Sequence, residues 1–226
     1  IERTITDAGF TMVMQQIGTC DDEVKCGAVM EREKRLQGIV FLGGRFDYTP
    51  ADLAMLNVPF VCCSYSNRYG TLIEGEYSSV SIADGDTAQQ AVEELYRHGH
   101  RRIAALISRP DDQSISQLRY EGYVQALESH GIPVDPELVI STGGFGAKDA
   151  YRAVQEKMAE NVDFTALFAI ADSMAIGAMR ALMDAGRRIP EDCSVIAIDG
   201  LELSAYIEPP LTTLCLSLIH ISEPTR

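Results

Sequence analysis

The sequence predicts an α/β fold built on parallel sheets, and three observations predict it. Short apolar runs alternate with longer segments whose apolar residues recur at helical spacing. Several runs, at 102–107, 165–170 and 193–198, are apolar after their first one or two residues rather than at every second residue. That is how strands covered on both faces read. The runs close on Gly, Asp or Ser, where a chain leaves a parallel strand for a crossover helix.

In chain order, residues 11–17 read as a strand and 22–35 as a charged helix. Residues 38–42 are a buried strand ending at Gly43-Gly44, and 50–56 a short helix before the strand at 58–63. A short strand at 79–82 stops at Asp84-Gly85. The helix at 86–98 places Ala88, Ala91, Val92 and Leu95 on one face, and Gly99 ends it. The strand at 102–107 leads to a helix at 116–130 stopped by Gly131 and Pro133. Residues 138–140 form a short strand, 147–159 a helix and 165–170 a strand. A helix follows at 173–185, with Asp172 as N-cap and Gly186 just past its end. The strand at 193–198 ends at Asp199-Gly200. One open sheet accommodates these strands, and so do two sheets dividing at Gly99.

Composition narrows the function. Of 226 residues, 46% are hydrophobic and 23% charged, which suffices for a sizeable core. No apolar run approaches a membrane span, and the first residues do not resemble a signal peptide. Net charge is −14 and neither half is basic, so the chain lacks the footprint of a nucleic-acid surface. The six cysteines form no C-x-x-C pair and sit mostly in apolar runs, which fits a reducing cytoplasm. The four histidines show no metal-ligand spacing, and no metal or cofactor is expected.

Ligands of open parallel sheets bind beyond the carboxyl ends of the strands. The residues there include Arg45, Ser64, Asp84, Arg109, Phe145, Ala171, Asp172 and Asp199. Carboxylates accept hydroxyl hydrogen bonds, an arginine donates in a fixed fork, and a ring supplies an apolar platform. Together they suit a polyhydroxylated ligand such as a sugar. The competing reading makes each Asp a helix cap or turn residue. Catalytic signatures are missing: Gly144-Phe145-Gly146 is followed by Asp149, which breaks the dinucleotide fingerprint, and there is no P-loop or nucleophile elbow. No enzymatic activity is expected.

Five segments carry a resemblance. Residues 80–85 followed by Gly99-His100-Arg101-Arg102-Ile103-Ala104 form the first, and Arg119-Tyr120-Glu121-Gly122-Tyr123 the second. The third is Ala171-Asp172-Ser173-Met174-Ala175-Ile176-Gly177-Ala178. The fourth is Ile189-Pro190-Glu191-Asp192-Cys193-Ser194-Val195, and the fifth Pro209-Pro210-Leu211-Thr212-Thr213. In this order they resemble the lactose-repressor/galactose-repressor (LacI/GalR) family of transcription regulators, over residues 80–213. Residues 1–79 fit by pattern only.

The resemblance implies two Rossmann-like subdomains around a ligand cleft, the type I periplasmic-binding-protein-like arrangement. They divide as 1–98 and 99–213, with residues 214–226 outside the family pattern. That tail reads as the translation of a sequencing-adapter read-through. The family's opening strand, headpiece and C-terminal return are not in these 226 residues, so a longer native protein is implied. Asp84 and Asp199 would accept ligand hydroxyls from the two sides of the cleft, Arg119 would donate, and Phe145 would stack on the ligand. Ala171 stands where the family has Asn or Ser, and Gly200 where a second Asp is common. Both departures bear on which effector binds. For Arg119 the alternative is a surface ion pair with Glu121, although neighbours two apart on a helix do not face each other. A small-molecule effector, a cytoplasmic homodimer and operator binding through the headpiece alone are implied. The alternative is a solute-binding protein of a transport system.

Overall fold

The computed structural model describes residues 1–18, 22–73, 75, 77–109 and 113–216. Cys20 and residues 217–226 of the tail lie outside the described residues.

A short helix α1 (Glu2–Asp7) opens the chain. Helix α2 (Glu23–Lys34) starts where the Asp22 carboxylate accepts the N–H groups of Val24 and Lys25. The first sheet is small and parallel, in the order β1 (Ile39–Leu42), β2 (Phe60–Cys63), β3 (Ser78–Val80). Between β1 and β2 lies the single turn α3 (Pro50–Leu53), closed by a reciprocal capping box between Thr49 and Asp52. Val24, Phe41, Cys62, Leu72 and the rings of Phe46, Tyr48 and Tyr65 form this lobe's core.

Residues 11–17, expected as a strand, have no regular structure. Strand hydrogen bonds need a neighbour, and the open edge of β1 is separated from this segment by a cavity of about 1520 Å³. Its apolar residues have no ladder to join.

The larger lobe contains helix α4 (Asp84–Arg97), β4 (Ile103–Ile107), α5 (Ile115–Ser129), β5 (Val139–Ser141) and α6 (Ala147–Ala159). It continues with β6 (Ala166–Ala169), α7 (Asp172–Asp184), β7 (Ser194–Asp199) and β8 (Thr212–Cys215). The sheet order is β5-β4-β6-β7-β8, all parallel. Every residue of β4 and β6 is buried, as their uninterrupted apolar runs require. Gly99 and Gly186 take positive φ (92° and 81°) just past α4 and α7, as expected of helix-terminating glycines.

The chain passes from one sheet to the other earlier than expected. Ala88, Ala91, Val92 and Leu95 of α4 are buried in the core of the larger lobe, against Tyr123, Ala126 and Leu127 of α5. The passage therefore falls between Val80 and Asp84, not near Gly99. The apolar face of α4 was legible in the sequence, but which sheet it covers was not.

Candidate functional site

The order of the larger sheet locates its crevice. From β4 the chain moves one way to β5, then returns across to β6, so the carboxyl ends of β4 and β6 flank a switch point where crossovers leave in opposite directions. Ser108 follows β4, and Ile170 and Ala171 follow β6. Into this crevice α5 sends Arg119 from its second turn.

Arg119 is 3% exposed. Its Nε donates to Asp84 Oδ1 at 2.8 Å, and its Nη1 donates to Asp199 Oδ1 at 3.2 Å and to the Ile170 carbonyl. The guanidinium thus joins the first turn of α4, the end of β6 and the end of β7. Among the described residues nothing is hydrogen-bonded to its Nη2, which keeps its donors for another partner. The surface pairing of Arg119 with Glu121, weighed as an alternative, does not occur.

The two carboxylates differ in access: the Asp84 side chain is 3% exposed and that of Asp199 is 28% exposed. Burial pushes both above the usual carboxylate range, and the Arg119 charge pulls each part of the way back. Asp199 has φ of +139°, a region that favours glycine, at the last residue of β7. A non-glycine residue held there costs about 1–3 kcal/mol and marks a position the surroundings over-determine.

Ala171 is 5% exposed and is the N-cap residue of α7, next to the carbonyl that receives Arg119. Phe145 follows β5 and is 40% exposed, and its carbonyl accepts the Ser173 hydroxyl at 2.7 Å. The structure therefore brings Asp84, Arg119 and Asp199 into direct contact and sets Ala171 beside them. Phe145 is tied to the same helix terminus without a bond to the three.

Asp172, expected as an N-cap, does something else. It is the first residue of α7, one past the N-cap Ala171, and is fully buried. Its carboxylate accepts the Leu201 N–H at 2.8 Å, the Ser204 hydroxyl at 2.7 Å and the Thr213 hydroxyl at 2.5 Å. It ties the segment after β7, and β8 itself, to the start of α7. Sequence reasoning missed this because the three partners lie 29, 32 and 41 residues away. Asp172→Ala leaves three donors without their acceptor and is expected to cost about 2–3 kcal/mol, read by urea unfolding. A loss below a few tenths would show that water replaces the carboxylate freely.

The small lobe has a buried carboxylate of its own. Glu23 accepts the Tyr48 hydroxyl and the Arg45 N–H, the latter at 3.0 Å. Burial first, and then the Glu23 carboxylate, push the Tyr48 hydroxyl far above its ordinary value.

Residues 92–218 match the family described as periplasmic binding protein-like domain. The regulator MalR of Clostridium butyricum is 35% identical over 218 residues, covering 95% of this chain and 64% of that protein. The chain belongs to the LacI/GalR family. A further LacI/GalR relative, the repressor CytR of Escherichia coli, is 31% identical over 95% of this chain and 61% of its own length. The solved complex of the regulator CelR with cellobiose superposes with a TM-score of 0.79 at 29% identity, over 95% of this chain and 64% of that one. The chain spans somewhat under two thirds of the length of these relatives. As a LacI/GalR chain it has the periplasmic-binding-protein-like α/β fold with parallel sheets, as its motifs implied. These relatives are transcription regulators and not enzymes. No helix among the described residues is long and apolar enough to cross a membrane.

Proposed function

We propose that this chain is the effector-binding part of a transcription regulator and takes a neutral, hydroxyl-rich molecule of the sugar class between its lobes. The observation that carries this reading is the Arg119 guanidinium, held by Asp84 and Asp199 with Nη2 unengaged among the described residues. Nη2 donates to a ligand hydroxyl or ring oxygen, and the more exposed Asp199 accepts a hydroxyl. Asp84, spent on Arg119, orients the arginine rather than the ligand. Phe145 offers its ring to the apolar face of the sugar, and Ala171 contributes a methyl where a polar side chain would add a hydrogen bond.

One guanidinium beside two carboxylates leaves the crevice negative, so a phosphorylated or acidic sugar is repelled while a neutral one is not. Effector binding shifts the lobes, and a headpiece of the helix-turn-helix class, carried outside these residues, responds on operator DNA. Typical couplings of this kind change affinity about 5–150-fold. A homodimer in the cytoplasm is the working form. The relatives named above favour this reading over a transport protein, being regulators.

Titration calorimetry with neutral mono- and disaccharides, cellobiose included, and with the matching sugar phosphates tests it. At least one neutral sugar is expected to bind, and its phosphate to bind far more weakly. Asp199→Asn is expected to weaken the bound sugar about 10–100-fold, the worth of a charge-assisted hydrogen bond. Absence of binding by every neutral sugar at millimolar concentration would overturn the reading.

A further inference from the structure

The seam between the lobes is thin, and one carboxylate holds much of it. Glu121, on α5, receives three donors. Arg68 Nη2 lies 2.9 Å from its Oε2, the Tyr69 hydroxyl donates to its Oε1 at 3.2 Å, and Gln117 Nε2 donates at 3.3 Å. Arg68 and Tyr69 belong to the small lobe, in the loop after β2, and Glu121 to the large one.

That loop is itself rigidly tied to its own lobe. Asn67 Nδ2 donates to the Leu72 carbonyl at 2.7 Å, and its Oδ1 accepts the Leu72 N–H at 3.3 Å. The Tyr69 N–H donates to the Phe46 carbonyl at 3.1 Å, and the Thr71 N–H to the Tyr48 carbonyl at 3.0 Å. A force on Glu121 is therefore felt by the segment after β1, not dissipated in a loose loop. The rest of the seam includes the Phe46 N–H donating to the Gln113 carbonyl at 3.3 Å and the apolar contact of Ile115 and Leu118 with the small-lobe core. Beside the clasp lies a cavity of about 440 Å³, lined by Arg68 and Glu121 and also by Asp84. A seam with such a void has few dispersion contacts opposing a change in lobe angle.

Glu121 stands two residues after Arg119, so the two side chains leave α5 in different directions. One reaches the carboxylates of the crevice, the other the small lobe. We propose that the Glu121 clasp on Arg68 and Tyr69 is a conformational latch, holding the lobes at the angle seen here and setting where α5 presents Arg119. Glu121 is a positioning residue. The proposal does not depend on what the crevice binds, because the latch closes without a ligand.

Solution X-ray scattering and amide exchange on the whole chain test it without any ligand. A folded 226-residue chain has a radius of gyration of about 17 Å, and opened lobes raise it by about 1 Å. Glu121→Ala is expected to produce that rise in full, with helix content by circular dichroism unchanged and exchange of residues 113–121 about tenfold faster, and Arg68→Ala, which leaves the Tyr69 bond, a smaller change in the same direction. The double variant is expected to equal Glu121→Ala, which already removes the Arg68 contact. Glu121→Gln, which keeps an acceptor for Tyr69, is expected to fall between. Wild-type chain in 1 M salt, where the half-exposed pair is screened, is expected to move in the same direction. That measurement decides the matter should the variants lose helix. Unchanged scattering and exchange, or additive effects in the double variant, would overturn the latch.

Discussion

Arg119→Met is expected to lower folding stability by about 3–5 kcal/mol at neutral pH and to abolish sugar binding. Methionine fills much of the space of the arginine stem, so the loss is not mainly a cavity. It comes from leaving two carboxylates in the crevice, one of them 3% exposed, without the charge that offsets their desolvation. The pH dependence identifies the cause. Burial already pushes Asp84 and Asp199 up; the charge of Asp199 adds to the rise of Asp84, and that of Asp172 to the rise of Asp199. Without Arg119 both rise further. A carboxyl whose folded-state value is raised stays protonated in the fold at pH values where the unfolded chain, near 3.9, has released its proton. The fold then binds more protons than the unfolded chain, and stability falls as pH rises through that window. The deficit of the variant is therefore expected to be largest at pH 7–8 and to shrink on acidification toward pH 5. Urea unfolding of both proteins at the two ends of that range measures it. An equal deficit at both would point to lost packing instead.

Gly177→Ala is expected to cost about 3 kcal/mol or more, the upper range of overpacking. A Cβ on Gly177 would stand 2.0 Å from the Ala147 carbonyl oxygen and 2.8 Å from its carbon. The obstacle is backbone, so no rotamer change relieves it, and α7 would have to move off α6. Gly122 is the counterpart in the other helix pair, where a Cβ would meet the Gly85 oxygen at 2.2 Å. Its substitution also disturbs α5 next to Arg119, so it is expected to reduce sugar affinity as well as stability. Thermal unfolding of Gly177→Ala provides the check. A shift of less than about 1 °C would mean that the helices separate at little cost. Both glycines lie inside family motifs, but the motifs do not say why glycine is needed. The reason is the close crossing of α4 on α5 and of α6 on α7.

The sequence by itself determined the alternation of strands and helices, because strand and helix periods, caps and terminating glycines act within a few residues. The buried face of α4 and the apolar strands β4, β6 and β7 were readable for that reason. Asp84, Arg119 and Asp199, which the LacI/GalR motif order singled out, are in contact with one another through Arg119. Tertiary structure alone decided the rest. It decided that α4 covers the larger sheet, that residues 11–17 have no strand to pair with, and that Asp172 secures a distant segment instead of capping its own helix. It also decided that Arg119 is already engaged by both carboxylates, and that Glu121 faces the other lobe. Each depends on partners tens of residues away, and burial and hydrogen bonding between such partners follow from chain crossings that leave no local period to read.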